Sequence, residues 1–124
     1  MSGTTGVSGL AERPHLLEGA VAWVDLGRTR GRELAGHRPA VVVSAPDYLR
    51  TVTDLVAVVP VTTTDRGWPN HVPLTGPHGL TQPSWAMAEQ VRTIDRSRVT
   101  GISGGVDEPT LATVRRFLRY HLDR

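Results

Sequence analysis

The apolar residues of this chain fall into short runs that glycine and proline interrupt, and this spacing limits what the chain can build. The longest nearly unbroken run, residues 55–61, contains Pro60 and is far below the roughly 18 residues that a membrane-spanning helix needs. Two other runs, residues 19–26 and 38–44, are similarly short, and the second is rich in β-branched residues. Such runs are typical of strands that are buried on at least one face. The sequence therefore predicts a sheet of short strands and no membrane span.

Further segments extend this pattern of short elements. Residues 71–75 alternate polar and apolar side chains, residues 84–94 form a longer strand-like run, and residues 101–105 predict a brief strand. Residues 46–53 predict one turn of helix. Pro60 predicts that its strand lies at a sheet edge or carries a bulge, because proline cannot donate a hydrogen bond to a neighbouring strand.

One longer helix is predicted at the C-terminus. Asp107 is suited to cap its first turn, and Pro109 is tolerated within that turn. The apolar residues that follow recur every three or four positions, at Leu111, Val114, Phe117, Leu118 and Leu122. Short strands followed by one terminal helix predict a mostly β fold, built as a small antiparallel barrel or half-barrel.

The chain length of 124 residues is that of one domain. We expect residues 1–18, which are rich in glycine, serine and threonine, to form a flexible N-terminal extension. Residues 19–124 are expected to form the single domain. Because the extension has neither the basic start nor the continuous apolar segment of a signal peptide, we expect a cytoplasmic protein.

The basic residues of the chain are all arginine. The sequence has 14 Lys+Arg against 12 Asp+Glu, and it contains neither lysine nor cysteine. These absences exclude a lysine nucleophile, a Schiff base, a P-loop lysine, disulfides and thiolate metal sites. Guanidinium groups present a planar fork of donors that suits phosphate, so the composition is compatible with contact to nucleic acid.

Three separated places carry candidate functional residues. Arg38 stands where a basic loop meets a strand, and Thr62 ends another strand. Glu89 and Gln90 lie within the predicted strand at residues 84–94. Strand ends beside loops are where a rigid scaffold presents reactive groups to solvent. From spacing alone, a surface ion pair is the competing interpretation of Arg38.

The ordered set of motifs resembles the MazF/PemK family of toxin endoribonucleases. The matching segments are GAVAWVDL at 19–26, GRE at 31–33, GHRPAVVVS at 36–44, VVPVT at 58–62 and EQVRTID at 89–95, together with Arg98. The resemblance implies an SH3-like barrel that forms a homodimer and cleaves single-stranded RNA without a metal ion or other cofactor. It also implies a MazE-type antitoxin as the partner that silences the protein.

The resemblance assigns roles to individual residues, and we expect Arg38, Thr62 and Glu89 to be catalytic. Arg38 matches the family's arginine between loop and strand, which acts as acid or base or stabilises the charged phosphorane. Thr62 matches the threonine that holds the scissile phosphate. Glu89 is a better proton acceptor than a permanently protonated guanidinium, provided that it is substantially buried. The residues expected to bind RNA are Arg32, Glu33, Thr63, Gln90, Arg92 and Trp68.

The expected reaction sets clear chemical requirements. Cleavage of RNA without a metal needs a base for the 2′-hydroxyl proton, a donor to the 5′-oxygen, and positive charge beside the equatorial phosphate oxygens. Arg38 is assigned first to electrostatic stabilisation and hydrogen-bond donation. The expected products carry a 2′,3′-cyclic phosphate and a 5′-hydroxyl.

The aromatic and histidine residues are interpreted from their positions. Trp68 lies in a polar loop, where an exposed ring can stack on an unpaired base. Trp23 and Trp85 lie in predicted strands and are interpreted as core or dimer contacts. His71 and His78 lack a paired ligand at metal-binding spacing and predict no metal site.

Two positions depart from the Kid-like members of the family. Those members carry a histidine just before the glutamate that matches Glu33, where this chain has Arg32. They also carry an arginine two residues before the carboxylate, where this chain has Met87. These departures leave the general base open. Two alternative functions therefore stay open: a non-catalytic, CcdB-like toxin that binds DNA gyrase, and a degenerate family member that only binds antitoxin.

Overall fold

The computed structural model describes residues 15–27 and 36–122. Its elements in chain order are β1 (Ala20–Asp25), β2 (His37–Val42), α1 (Pro46–Thr51), β3 (Leu55–Thr62), β4 (His71–Pro73), β5 (Trp85–Met87), β6 (Arg92–Asp95), β7 (Val99–Gly105) and α2 (Glu108–Leu122). Two 3₁₀ turns, Ala88–Gln90 and Arg96–Arg98, flank β6. The predicted mostly β fold with a C-terminal helix is confirmed.

The strands form one antiparallel sheet in the order β4-β5-β3-β2-β1-β7, and β6 pairs with β3 outside this path. Among the described strands, β4 and β7 end the path, so the sheet stays open and matches the half-barrel alternative rather than a closed barrel. The turn at residues 76–79 packs on β7: Gly105 donates to the Pro77 carbonyl at 3.1 Å. A Cβ on Gly104 would lie 2.2 Å from that same carbonyl oxygen, so this close approach requires glycine.

Strand β3 is central, because β2 pairs with it on one side while β5 and β6 share the other. The predicted edge position of Pro60 is therefore wrong, and Pro60 is fully buried. β6 pairs with β3 as far as Val58, and β5 takes over at Val61. Pro60 lies between these two partners, at a position where neither ladder requires the N–H that proline lacks.

The long strand predicted at residues 84–94 is also wrong, because the chain leaves the sheet in its middle. Val61 pairs with Ala86, so a regular continuation would pair Val58 with Glu89, yet Val58 pairs with Arg92. The 3₁₀ turn Ala88–Gln90 takes up these three extra residues. Glu89 and Gln90 consequently lie on a turn between two strands.

Alternate residues of the strands pack into two clusters, one on each face of the sheet. One cluster contains Ala40 and Val58, and the other contains Val59 and Val114. We call these the Val58 face and the Val59 face. Helix α2 covers the Val59 face through Val114, which is fully buried.

Helix α2 begins as its sequence predicts. The Asp107 carboxylate accepts the backbone N–H of Thr110 at 3.0 Å and hydroxyl hydrogen bonds from Thr110 and Thr75, each at 2.6 Å. The hydrogen bonds from the Thr110 and Thr75 side chains lower the pKa of Asp107. This cap satisfies an N–H that the first turn of a helix leaves without a partner.

The segment before β1 already packs against the domain. Leu16 is buried in the core, and Glu18 accepts a hydrogen bond from Arg115 of α2 at 2.9 Å. This contact raises the pKa of Arg115 further above its usual value. The boundary after residue 18 stays a prediction, as does the flexibility of the preceding extension. Within the described part of the chain, no helix is long and apolar enough to cross a membrane.

Candidate active site

Strand register brings Arg38 and Thr62 to one place on the sheet. Ala40 pairs with Pro60 across β2 and β3, so continuing the same register by two residues sets Arg38 opposite Thr62. Because side chains alternate along a strand, both project to the Val58 face. Arg38 is half-buried and Thr62 is 7% exposed. The two residues that the sequence placed in separate motifs are therefore neighbours.

The hydroxyl of Thr62 is already oriented by the backbone. Its Oγ1 accepts the N–H of Thr64 at 3.1 Å, which fixes the side chain at the end of β3. A hydroxyl that accepts one hydrogen bond retains its own O–H as a donor. Thr62 can therefore donate to an anionic oxygen that approaches this strand end.

Glu89 is held by hydrogen bonds to both of its carboxylate oxygens. Oε1 accepts from the Asn70 amide at 3.3 Å, and Oε2 accepts from His71 Nε2 at 2.9 Å. The side chain of Glu89 is 25% exposed, so it is largely buried while one part reaches solvent. A carboxylate fixed in this way has a defined orientation and remains accessible to a small substrate group.

His71 is the site residue that sequence reasoning missed. The side chain of His71 is 2% exposed. In the pairing of β4 with β5, His71 is the residue opposite Met87. That pairing puts His71 on the same face as Thr62. Trp85 pairs with Thr62, and Met87 lies two residues further along β5 and therefore projects to the same face as Trp85. The 18 residues between His71 and Glu89 give no spacing signal. Only the pairing of β4 with β5 reveals the contact.

Trp68 packs against His71. Its carbonyl accepts the His71 N–H at 3.0 Å, which closes a four-residue turn with Pro69 at the second position, where proline is favoured. The Trp68 ring is 49% exposed, and its centroid lies 4.7 Å from that of His71. The Arg66 guanidinium carbon lies 5.8 Å from the Trp68 ring centroid, which adds positive charge beside the exposed ring.

The remaining predicted residues divide between this site and other places. Arg92 is opposite Val58 and therefore lies on the Val58 face, where it donates to Gln90 Oε1 at 3.3 Å. Thr63, one residue beyond Thr62, instead lines a cavity of ≈ 250 Å³ with Trp23. The structure does not bring Thr63 together with Thr62 and Glu89. Arg32 and Glu33 lie outside the described residues.

The His71–Glu89 pair is a hydrogen-bonded pair without a third metal-binding residue beside it. In the described ranges 15–27 and 36–122, no group of three or more His, Cys, Asp or Glu residues is placed to hold a metal ion. What the Val58 face offers chemically is a guanidinium at Arg38, a hydroxyl at Thr62 and an oriented carboxylate at Glu89. These are the groups that stabilise charge, hold an anion and accept a proton.

Two named relatives are similar in sequence. The endoribonuclease toxin MazF of Escherichia coli K12 is 42% identical over 76 residues, which cover 61% of this chain and 65% of that protein. The match thus spans slightly less than two thirds of the E. coli protein. The endoribonuclease MazF9 of Mycobacterium tuberculosis is 38% identical over 111 residues, which cover 85% of this chain and 94% of that protein.

Solved structures show the same architecture. MazF from Deinococcus radiodurans superimposes with a TM-score of 0.73 at 31% identity, covering 86% of this chain and 94% of that chain. A MazE–MazF structure from the same organism gives a TM-score of 0.72 at 29% identity, covering 89% of this chain and 97% of that chain.

The family itself is identified over most of the chain. Residues 17–122 match the family described as PemK-like, MazF-like toxin of type II toxin-antitoxin system. The match includes every strand and helix described above, and it confirms the resemblance seen in the motifs. The chain therefore belongs to the PemK-like, MazF-like toxins of type II toxin-antitoxin systems.

Proposed function

We propose that this chain is a toxin endoribonuclease that cleaves single-stranded RNA at a short sequence motif. The observation that carries the proposal is the register of β2 and β3, which sets Arg38 opposite Thr62 on one face when it is continued two residues beyond the Ala40–Pro60 pair. Relatives that are 42% and 38% identical are named endoribonucleases, which supports the same activity here.

In the proposed reaction, the 2′-hydroxyl oxygen attacks the adjacent phosphorus, and the bond from phosphorus to the 5′-oxygen breaks. Glu89 accepts the 2′-hydroxyl proton, because its carboxylate is oriented and partly open to solvent. Arg38 stabilises the charge on the equatorial oxygens, and Thr62 donates to one of them. The 5′-oxygen leaves as a hydroxyl after taking a proton from water, the resulting hydroxide takes the proton from Glu89, and the other product is a 2′,3′-cyclic phosphate. No metal ion takes part in this scheme.

RNA contacts are proposed around these three residues. Trp68 stacks on an unpaired base, because its ring is half exposed beside the cluster. Gln90 and Arg92 extend the polar surface on the far side of Glu89. Arg32, Glu33 and Thr63 remain predicted contacts that depend on the path of the RNA.

The proposed partners are a second copy of the chain and an antitoxin. The D. radiodurans relative has been solved as a MazE–MazF complex. We propose that a MazE-like antitoxin lays an acidic, partly disordered segment across the arginines of this chain, since that neutralises them and covers the RNA site. A homodimer acting on RNA in the cytoplasm completes the proposal.

The test is cleavage of a mixed pool of single-stranded RNA in EDTA by the wild-type protein and by Arg38→Ala, with sequencing of the cut ends. Arg119→Ala is the matched control, because Arg119 is an exposed arginine on α2. We expect the wild-type protein to cut at one short motif and to leave cyclic phosphate ends. The cleavage rate should fall about 100-fold or more in Arg38→Ala and stay unchanged in Arg119→Ala. If the folded wild-type protein leaves the RNA intact, the proposal is wrong and gyrase binding becomes the function to test.

A further inference from the structure

The buried histidine of β4 has a bonding pattern that its packing does not explain. His71 Nε2 contacts Glu89, while His71 Nδ1 is buried and has no hydrogen-bond partner among the residues that the structure describes. Leaving a buried nitrogen unpaired is unfavourable, so packing alone does not account for an imidazole at this place. The presence of a histidine here is therefore better explained by the hydrogen bond that its Nε2 makes to Glu89 than by packing.

That other nitrogen fixes the Glu89 carboxylate. Since an ionised carboxylate only accepts hydrogen bonds, His71 Nε2 carries the hydrogen in the 2.9 Å contact. Asn70, the preceding residue, donates to the second carboxylate oxygen. The backbone ties the same pieces together, because the Ala88 N–H donates to the Asn70 carbonyl at 3.2 Å. Glu89 is thus oriented by two consecutive residues of a turn and strand.

The same histidine contacts the ring that faces solvent. Trp68 and His71 are the first and last residues of the turn that Pro69 restricts, and their ring centroids are 4.7 Å apart. A base that stacks on Trp68 would therefore be placed at a fixed distance from the Glu89 carboxylate. His71 is the one side chain in contact with both Trp68 and Glu89 among the contacts described here.

We propose that His71 is a positioning residue, which orients Glu89 for proton transfer and sets its distance from the base held by Trp68. This role rests on the proposed function, since it is defined by RNA cleavage. Met87, the cross-strand neighbour of His71, is buried.

The test compares His71→Phe with His71→Gln in kcat, KM and melting temperature, on an RNA that contains the cut motif. Phenylalanine keeps the ring contact with Trp68 and removes the donor, whereas the glutamine amide can still donate to Glu89. We expect kcat of His71→Phe to fall about 10-fold, with KM changed less than about twofold, and the Tm shows that the variant is folded. His71→Gln is expected to recover part of the lost kcat.

A double-mutant cycle with Glu89→Gln separates positioning from packing. If His71 acts through Glu89, His71→Phe has no further effect on kcat in the Glu89→Gln background. An equal loss in both backgrounds, or an unchanged kcat in His71→Phe, overturns the role. The wild-type protein in the same assay separates the two claims. Cleavage by the wild type with an unaffected His71→Phe overturns this role alone, and an inactive wild type overturns it together with the proposed function.

Discussion

Two tryptophan–histidine contacts lie on opposite faces of this sheet, and they differ in what surrounds the imidazole. His37 stacks on Trp23 at 5.5 Å and contacts the Thr100 hydroxyl at 2.6 Å, all on the Val59 face. His37 is exposed. His71 packs on Trp68 at 4.7 Å, is buried, and contacts a carboxylate on the Val58 face.

The comparison shows that an aromatic contact alone does not mark a functional histidine. His37 is exposed, so water can replace its contact with Thr100, whereas His71 is buried between an exposed ring and Glu89. Sequence position suggests the opposite ranking, because His37 adjoins Arg38 and His71 stands alone in a short strand. The predictions below test whether activity follows the buried contact.

The largest effect is expected at the carboxylate. Replacing Glu89 with glutamine keeps its shape but removes the proton acceptor, so kcat for RNA cleavage should fall about 100-fold or more. Thr100→Val is the counterpart on the other face, because it removes the hydroxyl that contacts His37. Equal losses in single-turnover cleavage by the two variants would contradict the assignment of the reaction to the Val58 face.

A smaller effect is expected at the exposed ring. Trp68→Ala should raise the Kd for single-stranded RNA about 10-fold, since stacking of one base on an aromatic ring has roughly that effect. Its Tm should change little, because the ring is half exposed. Titration of an uncleavable RNA monitored by fluorescence anisotropy measures the change. Unaltered affinity would remove Trp68 from the RNA site.

The smallest effect on cleavage is expected at the exposed imidazole. His37→Ala should leave kcat and KM within about twofold of the wild type, since its contact partners lie outside the Val58 face. A larger loss of activity in His37→Ala than in His71→Phe under the same conditions would contradict the claim that activity depends on the buried histidine. In that case the Val59 face, with Trp23, becomes the candidate site.

A substitution at Asp107, outside both tryptophan–histidine contacts, is expected to change stability without changing activity. The pKa of Asp107 is lowered in the folded state. Its negative charge therefore stabilises the fold fully when the pH is above the usual pKa of 3.8. This stabilisation is lost as the pH falls through the lowered pKa of the folded state. Asp107→Asn should therefore lower Tm at neutral pH, and the difference should shrink in acid. Cleavage at neutral pH should be unchanged. Thermal melts from pH 7 to pH 3 provide the measurement.

The sequence predicts the parts of the fold that local patterns determine. β3 has the bounds of its apolar run, and α2 begins at the cap that Asp107 forms. The break at residues 88–90 in the strand expected at residues 84–94 was not predicted, because it arises from β3 exchanging one partner for another. A buried Pro60 in a central strand has the same cause.

The candidate site divides in the same way. Motifs single out Arg38 and Thr62 as candidates, and the antiparallel register, continued two residues beyond the Ala40–Pro60 pair, sets them opposite each other. His71 and Asn70 were missed, because their contact with Glu89 depends on β4 pairing with β5 across a long intervening loop. Local spacing cannot show such contacts between side chains that lie far apart in the chain.

The central claim is that RNA is bound and cut on the Val58 face. A crystal structure with the cut motif carrying a 2′-deoxy substitution at the scissile nucleotide tests it directly, because the attacking hydroxyl is absent and the RNA stays intact. We predict the scissile phosphate within hydrogen-bond distance of the Arg38 guanidinium and the Thr62 hydroxyl, with a base stacked on Trp68. RNA lying against Trp23 and His37, with no phosphate at Arg38, would contradict the account.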